Sequence, residues 1–216
     1  MLSQMHDSAH DRHHVYRVLY SAIDIARYTG EVDVDMDVLI AACLLHDIGR
    51  EKQFANLELC HAQIGGDMAY EFLVSQKWEV YKASHVKECI ASHRFRRDNA
   101  PQSLEAKILF DADKLEASGA VGIARTLIYE GQVEEPLYII DGTGNIVTDG
   151  GGAEISSFFQ EYNYKLKNVY GSFHTRRAKE IAAERQNTAI SFYNGLFSEI
   201  ASNYKNGLSN LEELLR

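Results

Sequence analysis

The sequence predicts an all-α protein, and three observations predict this fold class. Apolar residues recur at steps of three and four along most of the 216-residue chain, which is the spacing that gives a helix one apolar face. Only two prolines are present, so long uninterrupted helices are allowed. Apolar residues make up 45% of the chain and charged residues 25%, a balance that supports a buried core and excludes intrinsic disorder.

Net charge and cysteine content exclude several classes of protein. The net charge of −9 speaks against a nucleic-acid or anionic-membrane surface, since both need a basic footprint. The longest apolar run, residues 38–45, is far too short to span a membrane. Cys43, Cys60 and Cys89 are widely spaced and odd in number, which predicts free thiols in a reducing compartment. We therefore expect a cytoplasmic protein that binds neither nucleic acid nor membrane.

The first two helices follow from an apolar stripe and an apolar run. From His14 onward the stripe predicts a helix that stops near Gly30, because glycine suits a helix end. The second helix begins at Asp35 or Asp37, either of which can cap it, and ends near Gly49. It is apolar nearly all round, so we expect it to be the central buried helix.

The remaining elements are predicted from the same periodicity. Helices are expected over residues 60–74, 78–93 and 104–129, and two more carry the apolar positions of 158–169 and 178–200. Between them, residues 131–152 place a glycine-rich turn between β-branched pairs, which predicts a small hairpin or a loop. We expect one domain over 1–216, with a core of 9–130, an insertion of 131–152 and C-terminal helices in 153–216.

Histidines point to the chemistry, because eight of the nine lie in the first 93 residues. The sharpest element is the adjacent pair His46 and Asp47 at the end of the predicted buried helix. Burying a carboxylate beside an imidazole is costly unless a partner compensates, and a divalent cation is such a partner. The alternative is a pair that lies just beyond the buried stretch and is exposed at the helix end.

Other candidates share this pattern of polar groups on apolar helices. His14 lies on the apolar side of its helix, either as a ligand or as a hydrogen-bonded core residue. Asp111 and Asp113 lie within an apolar helix, and helical phase does not choose between them. His61 and His93 follow apolar patterns at similar depth.

The order of these residues resembles the H…HD…D signature of the HD-domain metal-dependent phosphohydrolases. Further segments are similar to successive blocks of the small bacterial members: HHVYRVLYSA, AACLLHDIGR, CHAQIGG, IASHRFR and ILFDADKLEASGAVGIAR. The resemblance covers about residues 9 to 130, and HTRRAKEIAAERQ near the C-terminus is similar to the last block. It implies an HD-domain helical bundle with additional C-terminal helices.

The resemblance also implies roles for individual residues. The metal ligands would be His14, His46, Asp47 and Asp113. Asp111 would orient a ligand or a water molecule, and Glu116, where many relatives carry aspartate, is expected to matter little for metal binding. Asp47 together with His61 and His93 would be catalytic, the two histidines binding substrate phosphate or a second metal. The cations that flank these motifs are candidates for holding phosphate, although each could instead be a solvated surface charge: Arg17, Arg50, Lys52, Arg94 and Lys114. Arg17 is favoured, because it lies one helical turn from His14.

The implied activity is hydrolysis of a small phosphorylated molecule, a nucleotide above all, at a phosphomonoester, phosphodiester or pyrophosphate bond. Two imidazoles and two carboxylates without a thiolate suit one or two ions of Mn²⁺, Mg²⁺, Co²⁺, Ni²⁺ or Fe²⁺. Two other interpretations stay open: a regulatory module that binds metal and nucleotide without turnover, and a helical scaffold with buried histidines and no metal. The chain could also form a homodimer.

Overall fold

The computed structural model describes residues 11–28, 30, 34–56, 58–94, 99–150 and 156–216, and these confirm the all-α fold class. A 3₁₀-helix occupies Leu166–Gly171. The α-helices of the described residues are α1 (Arg12–Tyr28), α2 (Met36–Leu45), α3 (Arg50–Ala55), α4 (His61–Ser75), α5 (Val80–Ser92), α6 (Leu104–Leu115), α7 (Gly119–Gln132), α8 (Phe158–Tyr164) and α9 (Arg176–Leu214).

The chain divides into two compact units. The first comprises Met1–Glu116 and Phe173–Ile181, and the second comprises Ala117–Ser172 and Ala182–Arg216. Within the first unit, α1 packs on α2 and α6, and α5 packs on α2, α4 and α6. The predicted single domain with a core of 9–130 stays a prediction.

The central helix begins where the sequence predicts but ends earlier. The side chain of Asp35 accepts hydrogen bonds from the backbone N–H groups of Asp37 and Val38, which fixes the start of α2. The helix ends at Leu45, so the predicted end near Gly49 is wrong. Residues 46–49 form a turn that leads directly into α3, a short helix that the sequence pattern did not predict. The turn redirects the chain just where the His-Asp dipeptide lies.

The predicted helix over 104–129 is two helices. The chain is extended at Ser118, so α6 stops at Leu115 and α7 starts at Gly119. Gly119 has φ of +61°, a conformation that favours glycine. Gly122 then lies so close to the preceding turn that a Cβ there would be 2.3 Å from the carbonyl carbon of Ala117. The glycines therefore permit a sharp break that the apolar pattern masks.

The second unit has an aromatic core. Phe158 and Phe159 of α8 are fully buried and make edge-to-face contacts with Phe192 and Tyr193 of α9. The apolar stripe of 158–169 is not one helix, because α8 ends at Tyr164 and the 3₁₀-helix follows. We refer below to the aromatic cluster, whose buried members are Ile123, Phe158, Phe159, Tyr162, Leu166 and Ala189.

The glycine-rich insertion is a loop closed by a single antiparallel bridge. Ile140 and Ile146 make one antiparallel bridge, and the described residues contain no longer strand. The Asp141 carboxylate closes the turn by accepting hydrogen bonds from the backbone of Thr143 and Asn145. The end of the predicted insertion, residues 151 and 152, lies outside the described residues. Of the two sequence alternatives, the described part is a loop with a single bridge.

Glu130 on α7 is a buried carboxyl group, and neither carboxylate oxygen has a hydrogen-bond partner among the described residues. Burial, followed by the charges of Glu135 and Glu161, raises the pKa of Glu130 from 4.5 to about 7. The folded protein therefore keeps a proton between these pH values that the unfolded chain releases. We expect the free energy of unfolding to fall as pH rises from 4.5 to about 7, by on the order of 2–3 kcal/mol.

The variant Glu130→Gln isolates this contribution. Urea unfolding at pH 5 and pH 8 should show Glu130→Gln to be more stable than the wild type at pH 8, with the difference vanishing or reversing at pH 5. Glu134→Gln, at an exposed position of the turn that follows α7, serves as the control and should give the same difference at both values. An equal difference for Glu130→Gln at pH 5 and pH 8 would contradict the assigned titration.

None of the helices in the described ranges combines the length and the apolar character that crossing a membrane requires.

Candidate metal centre

Four buried imidazoles converge inside the first unit. His14 comes from α1, His46 follows α2, His61 opens α4 and His93 follows α5, and each is at most 1% exposed. Their rings contact one another in a chain, with centroids 5.3–5.4 Å apart. The alternative of an exposed pair at the helix end is therefore wrong for His46, and Asp47 beside it is also buried.

Every one of these rings has its Nδ1 next to an oxygen acceptor. Nδ1 of His46 lies 2.8 Å from the carbonyl oxygen of Cys43, and that of His93 lies 2.6 Å from the carbonyl oxygen of Ile90. The remaining acceptors are Oε1 of Gln53 for His61, at 2.6 Å, and Oε2 of Glu116 for His14, at 3.2 Å. A neutral ring that donates from Nδ1 has its lone pair on Nε2. In this tautomer, the Nε2 atoms of all four histidines can act as acceptors or as metal ligands.

Those Nε2 atoms surround the carboxylate of Asp47. Its Oδ2 lies 3.6 Å from Nε2 of His14 and 3.5 Å from Nε2 of His46. On the other side, Oδ1 lies 3.6 Å from Nε2 of His61 and 4.0 Å from Nε2 of His93. Asp47 therefore has two imidazoles at each of its oxygens.

The carboxylate of Asp47 is ionised and forms an ion pair with Arg50, whose Nε lies 2.8 Å from Oδ1 without hydrogen-bond geometry. Burial would raise the pKa of Asp47, but His46, Arg50 and His14 hold it well below its usual value. Neither oxygen has a hydrogen-bond partner among the described residues, and neither does Nε2 of His61. Buried acceptors that face one another across 3.5 Å without a donor are costly, unless something electropositive lies between them.

The ligand atoms form two sets that could each hold a metal ion. One set is His14, His46 and Asp113, and the other is Asp47, His61 and His93, with the ligand atoms of each set within 4.8 Å of one another. Nε2 of His14 lies 3.3 Å from Nε2 of His46 and 3.6 Å from Oδ1 of Asp113. A cation with bonds of about 2.0–2.2 Å holds adjacent ligands roughly 3.0–3.6 Å apart, so these donors fit a divalent ion.

The histidines of the second set are neutral at physiological pH. Burial, followed by the charge of Arg50, lowers the pKa of His61 to about 2, and burial lowers that of His93 to about 4. Burial would raise the pKa of Asp113, but Lys114 and the neighbouring imidazoles hold it below its ordinary value. Neutral imidazoles and ionised carboxylates are the forms that bind metal.

The cations predicted to hold phosphate have different surroundings. Arg17 is paired with Glu116, its Nη2 lying 2.8 Å from Oε2. Nζ of Lys114 lies over the ring of Phe110, 5.3 Å from its centroid. Arg94 is half-buried and its charge acts on His61, whereas Lys52 on α3 is exposed. Of these four, Lys114 and Arg94 act electrostatically on members of the two sets.

Two acidic residues have roles that the sequence pattern did not reveal. Glu116 is buried and accepts hydrogen bonds from both His14 and Arg17. These contacts speak against the expectation that Glu116 matters little for metal binding. Asp111 accepts from the backbone N–H groups of His174 and Thr175, at 2.9 and 2.7 Å, and therefore anchors the residues before α9. Of Asp111 and Asp113, only Asp113 lies beside His14.

Comparison with known proteins identifies this arrangement. The family model of the HD domain matches residues 12–118, which include all four histidines, Asp47 and Asp113. The Bacillus subtilis protein YpgQ is 30% identical over 198 residues, which cover 89% of this chain and 85% of YpgQ. The chain belongs to the HD-domain family. Its match to the family model includes Glu116 as well.

Solved structures of HD-family proteins have the same fold. The crystal structure of Bacillus subtilis YpgQ in complex with ADP aligns with a TM-score of 0.68 and 27% identity, covering 89% of this chain and 91% of that one. A predicted HD superfamily hydrolase from an uncultured Thermotogales bacterium aligns with a TM-score of 0.61 and 28% identity, covering 92% and 86%. Proteins of this HD superfamily are generally hydrolases.

Glu116→Ala tests the support of His14 in the HD domain. Removing the acceptor frees the ring to rotate and leaves Arg17 without its partner, so we expect Mn²⁺ affinity to fall about 10- to 100-fold. Competition with a chromophoric chelator measures this affinity. Glu116→Gln keeps an acceptor oxygen and should lose less, whereas the exposed Glu180→Gln should lose nothing. Equal affinity of Glu116→Ala and the wild type would show that His14 needs no such support.

Proposed function

We propose that this protein is a metal-dependent phosphohydrolase that cleaves a small phosphorylated substrate, a nucleotide above all. The observation that supports this proposal best is the carboxylate of Asp47, which is buried and ionised between two pairs of imidazole Nε2 atoms, with the Arg50 ion pair on the side of Oδ1. A scaffold role does not account for that arrangement, because an apolar or hydrogen-bonded core would be more stable.

The two sets of ligands would bind different groups. His14, His46, Asp113 and Oδ2 of Asp47 would hold one divalent cation, and Mn²⁺ is the ion that we propose. His61, His93 and Oδ1 of Asp47 would hold a second cation or the substrate phosphate. Such ions lower the pKa of a water molecule and offset charge on phosphoryl oxygens.

The protein's own groups then position the reactants. The low pKa of Asp47 keeps it ionised, so it orients a water molecule as an acceptor and does not store a proton. Arg50 lies 2.8 Å from Oδ1 of Asp47 and offsets part of the charge on the carboxylate. Lys114 and Arg94 are the cations that we propose for the substrate phosphates. Arg17 is better explained as a partner of Glu116, because its guanidinium is already paired.

The nucleotide assignment draws on a relative. The structure of YpgQ contains ADP, which supports a nucleotide as the ligand of this chain. The acidic net charge and the thiols support a cytoplasmic enzyme acting on small molecules.

A hydrolysis assay with resolved products tests the proposal. The protein is stripped of metal, reloaded with Mn²⁺ and incubated with nucleoside mono-, di- and triphosphates and simple phosphoesters. We expect metal-dependent release of orthophosphate, pyrophosphate or nucleoside monophosphate from one substrate class, which also identifies the bond. Tight nucleotide binding without turnover under any divalent metal would replace the enzyme with a regulatory nucleotide-binding module.

A further inference from the structure

The C-terminal part of α9 carries a row of apolar side chains that solvent reaches. Earlier on the same helix face, Phe197 and Ile200 pack against the aromatic cluster. The ring of Tyr204 lies 3.4 Å from the position that a Cβ of Gly144 would take in the insertion. Beyond it the face stays apolar although the core has ended. We refer to the C-terminal stripe, which consists of Tyr204, Leu208, Leu211 and Leu215. Leu215 directly follows α9, and its backbone N–H donates to the carbonyl oxygen of Leu211 at 3.1 Å, which continues the helical turn.

The exposure of this stripe is large for leucine side chains. Leu208 and Leu211 are 50% and 52% exposed, and Leu215 is 77% exposed. At 100° per residue the four members lie within a sector of about 60° on the helix surface. A narrow stripe at steps of four, three and four has the spacing of a two-helix coiled-coil seam, whereas a core helix carries a broader apolar face.

The spacing of the C-terminal stripe is the same in both directions along the helix. When a second copy of α9 is laid antiparallel, Leu208 of each copy lies opposite Leu211 of the other. Tyr204 of each copy then lies opposite Leu215 of the other. One two-fold axis relates all four contacts, so the stripe is complementary to itself and the assembly closes at two copies.

The residues that flank the stripe favour the same antiparallel direction. Lys205 and Glu212 are seven residues apart and occupy equivalent positions on one flank. An antiparallel pair places Lys205 of each copy beside Glu212 of the other, so two ion pairs form. A parallel pair would place this flank beside the other flank, whose residues Gly207 and Leu214 carry no charge.

The other flank, formed by Gly207 and Leu214, is complementary in shape to the same flank of a second, antiparallel copy. Leu214 is 83% exposed, and an antiparallel pair places it beside Gly207 of the other copy. Among the described residues, no atom outside the neighbouring residues and the local helix backbone lies within 4 Å of the position that a Cβ of Gly207 would take, so the space is open. A protruding leucine thereby meets a position that has no side chain.

We propose that the C-terminal stripe is a homodimer interface, in which two copies of this chain pair their α9 helices antiparallel. The paired segment of 12 residues is about 18 Å long. A contact of this length buries less than the roughly 1,200 Å² of a standard stable interface, so the dimer is expected to be weak and dependent on concentration. The proposal concerns the second unit alone and does not rest on the proposed hydrolase activity.

Sedimentation equilibrium of the full chain over a concentration series tests this interface. We expect a reversible monomer–dimer equilibrium for the wild type. Leu211→Glu places like charges in the seam and should weaken dimerisation at least about tenfold. Asn206→Glu adds the same charge on the opposite side of α9 and should change it little. Unchanged helix content by circular dichroism excludes unfolding of the variants.

A charge exchange tests the direction of the helices. Lys205→Glu and Glu212→Lys should each weaken the dimer, and the two substitutions together should restore it, because the opposite charges meet again across the two-fold axis. A wild type that stays monomeric would overturn the proposal, and so would a dimer that Leu211→Glu leaves intact. Failure of the double variant to recover would overturn the antiparallel arrangement.

Discussion

Replacing Asp47 by Asn is expected to reduce hydrolysis by at least about a thousandfold and to remove the stabilisation that Mn²⁺ gives to the folded protein. Asn keeps the shape of the side chain but removes the negative charge that both sets of imidazoles face. One oxygen of Asp47 lies next to each set, so the single substitution affects both sets together. Turnover and the metal-induced shift of the Tm are the two measurements.

A matched variant separates the site from general charge effects. Asp67 lies on α4, is half exposed and pairs with Lys87 at the surface. Asp67→Asn removes the same charge and should change turnover and Tm little, since exposed ion pairs contribute less than about 1 kcal/mol. An Asp47→Asn variant that turns over at the wild-type rate would exclude Asp47 from the catalytic centre.

Gly49→Ala is expected to have the largest effect on folding. A Cβ at Gly49 would lie 2.3 Å from the carbonyl oxygen of His61 and 2.8 Å from the backbone nitrogen of Gly65. Backbone atoms cannot rotate away, so α4 would have to move from the turn of residues 46–49. We expect a loss of roughly 2–4 kcal/mol in the free energy of unfolding, together with weaker metal binding because His61 moves away from Asp47.

Gly195→Ala provides the control for this substitution. Gly195 lies inside α9, and among the described residues no atom outside its neighbours and the local helix backbone is within 4 Å of its Cβ position. Alanine should therefore stabilise this helix by about 0.5–1 kcal/mol. Urea unfolding measures both variants. A Gly49→Ala protein as stable as the wild type would show that the contact between the turn and α4 is not required.

The sequence was sufficient for the fold class and the family, because both depend on local pattern. Helical periodicity and the apolar run of 38–45 predicted the all-α fold, and the HD dipeptide with its flanking blocks predicted the family. Helix ends were less predictable. The apolar pattern continues through the break before Gly119 and therefore predicts one helix there, although Ser118 and Gly119 together are a typical interruption.

Long-range contacts could not be predicted from local pattern. Glu116 accepts from His14 across 102 positions, and Asp111 holds Thr175 across 64. Helical phase leaves Asp111 and Asp113 equivalent. The family resemblance favours Asp113 as the ligand, and the packing of α6 against α1 places Asp113 beside His14. The roles of individual site residues stay predictions, although the structure brings their side chains together.

Anomalous diffraction from a crystal grown with Mn²⁺ tests the central claim most directly, namely that the cluster around Asp47 holds the cation. The account predicts a peak within bonding distance of Nε2 of His14, Nε2 of His46 and Oδ2 of Asp47, with any second peak beside Oδ1 and the Nε2 atoms of His61 and His93. A manganese peak elsewhere in the molecule, with none among these atoms, would contradict it.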